Sequence, residues 1–180
     1  LQPYYDVRKL LAKEQASVNA VDEAYITCAI IFCLLAGGMF ISGSNLLMCV
    51  FLVTLATLFV IIASYSARSP FADTGADREC LQVMSYEPML LIMTVGFFGA
   101  TQSFDTASLL TLEQPMIISL IPIFLGLLFI LTIKLRKSPF DYSYSHHAHQ
   151  ELVKGITTEM EGRTLAKVEI MHWCETVLFL

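Results

Sequence analysis

Four long stretches of this sequence carry no charged side chain, and that property decides most of what the chain can fold into. They run over residues 24–41, 45–67, 89–104 and 115–133. A bilayer hydrocarbon core of about 30 Å is crossed by roughly 20 apolar residues in a helix, and the helix satisfies its own backbone polar groups. The pattern predicts an all-α, polytopic transmembrane helical bundle. The third span is expected to begin before Met89, since Glu87 and Pro88 can sit at a protein-lined end, and Pro122 is expected as a tolerated kink. A fifth span starts near Leu165, which gives about five in all. Charged residues make up 15% of the 180, against about 25% in ordinary globular proteins. The sequence starts at Leu1 and stops at Leu180 inside an apolar run, so residues 1–180 are expected to be a single integral membrane domain truncated at both ends.

With these spans the connections alternate sides. Residues 1–23, 68–88 and 134–167 fall on one side as loops or amphipathic segments. They hold all 11 Lys and Arg residues, whereas the opposite loops, 42–44 and 105–114, hold none. Lys and Arg bias towards the cytoplasm orients membrane proteins. The long connections are therefore expected to be cytoplasmic, in a multi-pass protein of the cell (inner) membrane that meets soluble partners from that side. The formal charge of −5, with no basic stripe, speaks against nucleic acid as a partner.

Ionisable groups at membrane depth are costly and commonly mark an ion path. Glu87 lies at the start of the third span. Glu169, His172 and Glu175 are spaced i, i+3, i+6 on the expected fifth helix and form one stripe. Two carboxylates around an imidazole can pass a proton; at the interface the same groups would simply meet headgroups. In the last connection, residues 151–161 suggest a short amphipathic helix. His146, His147 and His149 with Glu151 lack the i, i+4 spacing of a helical zinc site, so proton handling or partner contact is expected there instead. Cys28, Cys33, Cys49, Cys80 and Cys174 are odd in number and contain no CxxC. They are expected as buried or lipid-facing thiols, with no metal or other cofactor in this chain.

Four stretches, in order, resemble a known family. They are LQPYYDVRKLLAKE (1–14), Arg78 and Gln82 followed by SYE (85–87), SPFD (138–141), and ELVKGITTE (151–159) followed by Gly162. Together they are similar to the membrane subunit 1 family of respiratory complex I and its relatives in membrane-bound group 4 nickel–iron hydrogenases. Quinone-reducing members usually have an acidic run between PFD and ELV. Here YSYSHHAHQ stands in its place, a pattern that resembles energy-converting and CO-induced hydrogenases.

The resemblance implies a non-catalytic subunit of an oxidoreductase that anchors a hydrophilic arm and couples electron flow from ferredoxin to H+ or Na+ translocation. The implied partners are the hydrogenase large and small subunits, an Fe–S subunit and antiporter-like membrane subunits, with the NiFe centre and Fe–S clusters in those partners. It implies a buried ionisable chain containing Glu87, Glu151 and Glu159, with Asp141 in the PFD turn and Arg78 tuning the carboxylates or holding its loop. Glu169, His172 and Glu175 do not align cleanly with the family's transmembrane carboxylate. The rival expectations are a quinone-reducing complex I subunit, a stand-alone transporter (no internal repeat is found) and a plain membrane anchor.

Overall fold

The computed structural model describes residues 2–13, 20–110, 120–135, 155–157 and 159–179. Among these it is helical throughout: α1 (Gln2–Ala12), α2 (Ala20–Ile41), α3 (Leu46–Ser66), α4 (Pro70–Thr101), α5 (Thr106–Leu110), α6 (Ile121–Lys134), a 3-10 turn (Gly155–Thr157) and α7 (Gly162–Phe179). Three helices, α2 from Asp22, α3 and α4, are long and apolar enough to cross a membrane.

The central wall is α3. Its 21 residues rise about 32 Å at 1.5 Å each, which matches the hydrocarbon core. Asn45 caps it, its side-chain oxygen accepting from Leu47 N (3.0 Å) and Met48 N (3.4 Å). Its buried residues recur at helical spacing and divide between two cores. Ala56, Val60 and Ala63 meet Ile26, Ala29 and Cys33 of α2 and Val168 and Met171 of α7. Val50 and Ile61 meet Val83, Tyr86 and Leu90 of α4 and Ile130 and Ile133 of α6. Alanines at Ala29, Ala36, Ala56 and Ala63 are fully buried, as expected of membrane helices that gain chiefly from close backbone approach.

The two cation-free connections meet at one end of the bundle. Leu46 N donates to Phe104 O (2.8 Å) and Thr106 N to Ser44 O (3.0 Å). At the other end Lys167 pairs with Glu23 at 2.7 Å, Lys13 with Glu161 at 3.6 Å, and Ser66 donates to Asp22. These charged groups lie together at that end of the bundle.

Two expectations are corrected. Residues 70–88, expected as a connecting segment, are the first part of α4, a continuous helix of 32 residues, about 48 Å long. Its buried positions Ala72, Ala76, Glu79, Val83, Tyr86, Leu90 and Met93 form one unbroken stripe that passes Pro88. Pro122 is not a kink but sits in the first turn of α6, where a missing N–H costs little. In the fourth apolar run the structure describes α6, and residues 115–119 lie outside the described residues. The expected fifth span is present as the helix α7, which is not among those apolar enough to cross by composition.

The 3-10 turn lies in the ELVKGITTE stretch. The described part of the expected amphipathic helix over 151–161 is this turn and irregular chain at 159–161, while 151–154 and 158 lie outside the described residues. The turn packs directly on α4. A methyl group on Gly75 would fall 2.5 Å from Ile156 N and 2.6 Å from Gly155 C, so only glycine admits the contact. Ser64 of α3 donates to Ala72 O (3.0 Å), with Ile156 O (3.4 Å) as its alternative acceptor, and ties the three segments together.

Candidate functional site

Where the two cores meet, the bundle encloses charge. Lys134, the last residue of α6, puts its Nζ 3.3 Å from Glu175 Oε1 of α7, and the two side chains are 8% and 6% exposed. The ammonium also donates to Thr57 Oγ1 (3.4 Å), and the Thr57 hydroxyl donates to Glu175 Oε1 (3.0 Å) or to Val53 O (3.2 Å). Two ring faces complete its surroundings, Tyr86 at 4.6 Å and Phe179 at 5.5 Å to the centroids. Aromatic faces attract cations, and more strongly when the cation is desolvated.

Thr57 is the twelfth residue of the 21 in α3, so the ion pair lies level with the middle of a crossing. The sequence pattern puts Lys134 among the cytoplasmic cations of the last connection; the side chain points into protein at mid-depth instead. The reason is a partner. A lysine at the end of an apolar helix ordinarily snorkels to the interface, but here a buried carboxylate, a hydroxyl and two rings replace water.

Beside the pair is a cavity of about 10 Å³, room for roughly one water, lined by Thr57, Val60, Glu79, Val168, Met171, His172 and Glu175. Glu79 enters it from α4. The residue is 7% exposed, and its Oε2 has no hydrogen-bond partner among the described residues.

The structure therefore brings together two of the expected groups, His172 and Glu175, and adds Glu79, Lys134, Thr57 and Tyr86. Glu169, three residues before His172, is half-buried and does not line the cavity. Glu87 is half-buried on α4 beyond the enclosed Tyr86 and is likewise outside the cavity lining. Arg78 is half-buried within α4, not in a loop. Glu159, expected in the buried chain, is exposed, because it sits in the turn between the 3-10 segment and α7. Glu151, Asp141 and the three histidines lie outside the described residues. The cysteines are free, with Cys33 and Cys49 buried.

The fold and this centre define a class, a polytopic helical membrane protein with ionisable groups enclosed in its core. Residues 1–180 match the NADH dehydrogenase family along their whole length, and the chain belongs to that family, the subunit 1 family of complex I. It is similar to NADH-ubiquinone oxidoreductase chain 1 of Trichophyton rubrum, 30% identical over 174 residues, covering 88% of this chain and 50% of the relative. An NADH-quinone oxidoreductase subunit of Rubrobacter xylanophilus is 27% identical over 187 residues, covering 94% and 56%. Hydrogenase-4 component C of Escherichia coli is 30% identical over 130 residues, covering 71% and 40%. The chain spans about half the length of the curated relatives it matches. Family and apolar helices together place it in a membrane.

Proposed function

We propose that this chain is the membrane subunit of a ferredoxin-dependent, energy-converting nickel–iron hydrogenase. In that role it anchors the hydrophilic arm and couples hydrogen evolution to movement of H+ or Na+. The observation that carries the coupling role is the enclosed group Lys134, Glu175 and Glu79. Three ionisable side chains at the depth of a crossing are expensive to keep in a mere anchor. Glu87, Glu151, Asp141 and Arg78 belong to the proposed path on the family resemblance, whereas Glu159, expected there on the same ground, is exposed and lies outside it. His172 and Glu175 belong to it on geometry.

The hydrogenase assignment is supported by HHAHQ in place of an acidic run between SPFD and ELV, and by the hydrogenase-4 relative. The NiFe centre and Fe–S clusters belong to partner subunits, alongside antiporter-like membrane neighbours. The protein is placed in the cell membrane with its cation-rich connections in the cytoplasm, supported by the segregation of Lys and Arg.

A second reading, the corresponding membrane subunit of a NADH–quinone oxidoreductase, is favoured by coverage. The relatives with quinone or ubiquinone names above match 88% and 94% of the chain, the hydrogenase relative 71%. Purifying the native complex through this subunit separates the two. A hydrogenase contains nickel and evolves hydrogen from reduced ferredoxin; a complex without nickel that oxidises NADH and reduces quinone establishes the second reading.

A further inference from the structure

Between the second half of α2 and the last turns of α7 the bundle has an apolar groove of about 570 Å³. Cys33, Gly37 and Gly38 line it from α2, and Trp173, Cys174 and Val177 from α7. Leu34, Ile41 and Val177 at its rim are exposed, so the groove opens on the outside of the bundle. The two glycines keep it open, since a methyl group on either would have no neighbour within 4 Å. Deeper in, a second apolar space of about 240 Å³ extends past Val53 and Leu90 to Phe179. Phe40 and Leu178 line both spaces and divide them.

Walls, shape and the charge at the mouth decide what fills this recess. Among the described residues the walls carry no charged, hydroxyl or amide side chain, and apolar cavities stay dry. A quinone ring needs a few placed polar groups, which these walls do not supply. Small residues such as Gly37 and Gly38 often seat a neighbouring helix. A helix is a straight rod about 10–12 Å across, however, and cannot turn past Phe40 and Leu178 into the inner space. A flexible hydrocarbon chain can. Both spaces lie toward the end of the bundle where the cation-free connections meet. Residues 24–67, 79–133 and 168–180 supply that end and contain no Lys or Arg, and Asp105 is exposed there. An anionic headgroup would find repulsion from Asp105 and no cation, whereas a zwitterionic one brings its own. The Ser42 and Ser44 hydroxyls, 2.9 Å apart just beyond α2, can donate to its phosphate.

We propose that the recess binds one phospholipid with a zwitterionic headgroup, drawn from the leaflet at the cation-free end. One acyl chain lies over Gly37 and Gly38, and its end passes between Phe40 and Leu178 to reach Phe179. The Phe179 ring is 5.5 Å from Lys134 Nζ, so the bound tail closes the apolar side of the enclosed ion pair against water. The site is built from this chain and serves either of the redox complexes named above.

The test is photo-crosslinking of the native complex in vesicles of phosphatidylethanolamine and phosphatidylglycerol, with a trace of either lipid carrying a diazirine in one acyl chain. Adducts are mapped by peptide mass spectrometry. The phosphatidylethanolamine probe should label Phe40 and residues 173–179, and should do so about fivefold more than the phosphatidylglycerol probe, the scale of one charge at a membrane surface. Gly37→Leu and Gly38→Leu together fill the groove, and leucine is the better helix former, so the variant should assemble. Labelling of the recess should then fall about tenfold while labelling of the rest of the complex is unchanged. Three results overturn the proposal. One is no adduct in the wild-type recess, which would mean that a protein segment fills it. Another is equal labelling by the two headgroups, and the third is an adduct that excess quinone removes. If the double variant fails to assemble, the headgroup and quinone comparisons on the wild-type complex still decide.

Discussion

Lys134 and Glu175 stabilise each other only as a pair. Removing one partner of a buried ion pair leaves a desolvated charge and costs about 3–5 kcal/mol, whereas replacing both by neutral groups is often tolerated. Lys134→Met and Glu175→Gln should each lower the thermal unfolding midpoint of the detergent-solubilised complex, and the double variant should recover most of the loss. An additive double variant would mean that the two side chains are not coupled. The two are unequally visible in the sequence. Glu175 stands out because His172 and Glu175 fall on one stripe of a helix. Lys134 does not, because a lysine after the 19 uncharged residues 115–133 reads as the end of a span, and burial depends on contacts from α3, α4 and α7. Glu79 escapes sequence reasoning for a different reason. Arg78 beside it suggests a loop, yet the alternation of three and four between Ala72, Ala76, Glu79, Val83 and Tyr86 contains the signal of a buried helical face.

At the level of elements, the contact between α4 and the 3-10 turn decides whether the ELVKGITTE stretch can respond to the buried centre. Gly75 is one helical turn from Glu79, and its close neighbours are backbone atoms of Gly155 and Ile156, which cannot move aside cheaply. Gly75→Ala should therefore destabilise by about 1–3 kcal/mol, the usual range for overpacking. It should also expose the turn to limited proteolysis. Gly126 of α6 is the contrasting case. A methyl group there meets the flexible end of Met89, and alanine is the better helix former by about 1 kcal/mol, so Gly126→Ala should be close to neutral in the same melting assay. Equal losses from both glycines would show that the turn has no special hold on α4. The helices themselves are legible because uncharged runs of about 20 residues admit little else in a membrane. Their ends are not, since α4 continues through a charged segment that is stabilised by packing against α3 and the turn rather than by composition.

In the whole molecule, the ion pair joins the end of α6 to α7, the helix that follows the turn at Gly155. The described structure fixes both ends of the 136–154 segment, one through Lys134 at mid-depth and the other through Gly75 on α4. That segment contains SPFD and the three histidines, the latter among the residues on which the proposed hydrogenase reading rests. A partner docked on the segment from the cation-rich side would therefore pull on two points that flank the buried carboxylates. This gives a physical route from redox events outside the bilayer to charge inside it. If the route operates, removing the carboxylate should separate two activities that are normally tied. In sealed vesicles containing the native complex, Glu175→Gln should retain electron transfer in the presence of an uncoupler. Ion uptake per electron should fall by roughly a hundredfold, the scale on which loss of a positioned proton carrier slows transfer. An anchor without an ion path would keep both quantities at wild-type values. The same measurement with Glu159→Gln should show little change, because Glu159 is exposed and outside the enclosed centre. Loss of coupling there would move the path out of the cavity and into the cation-rich connection.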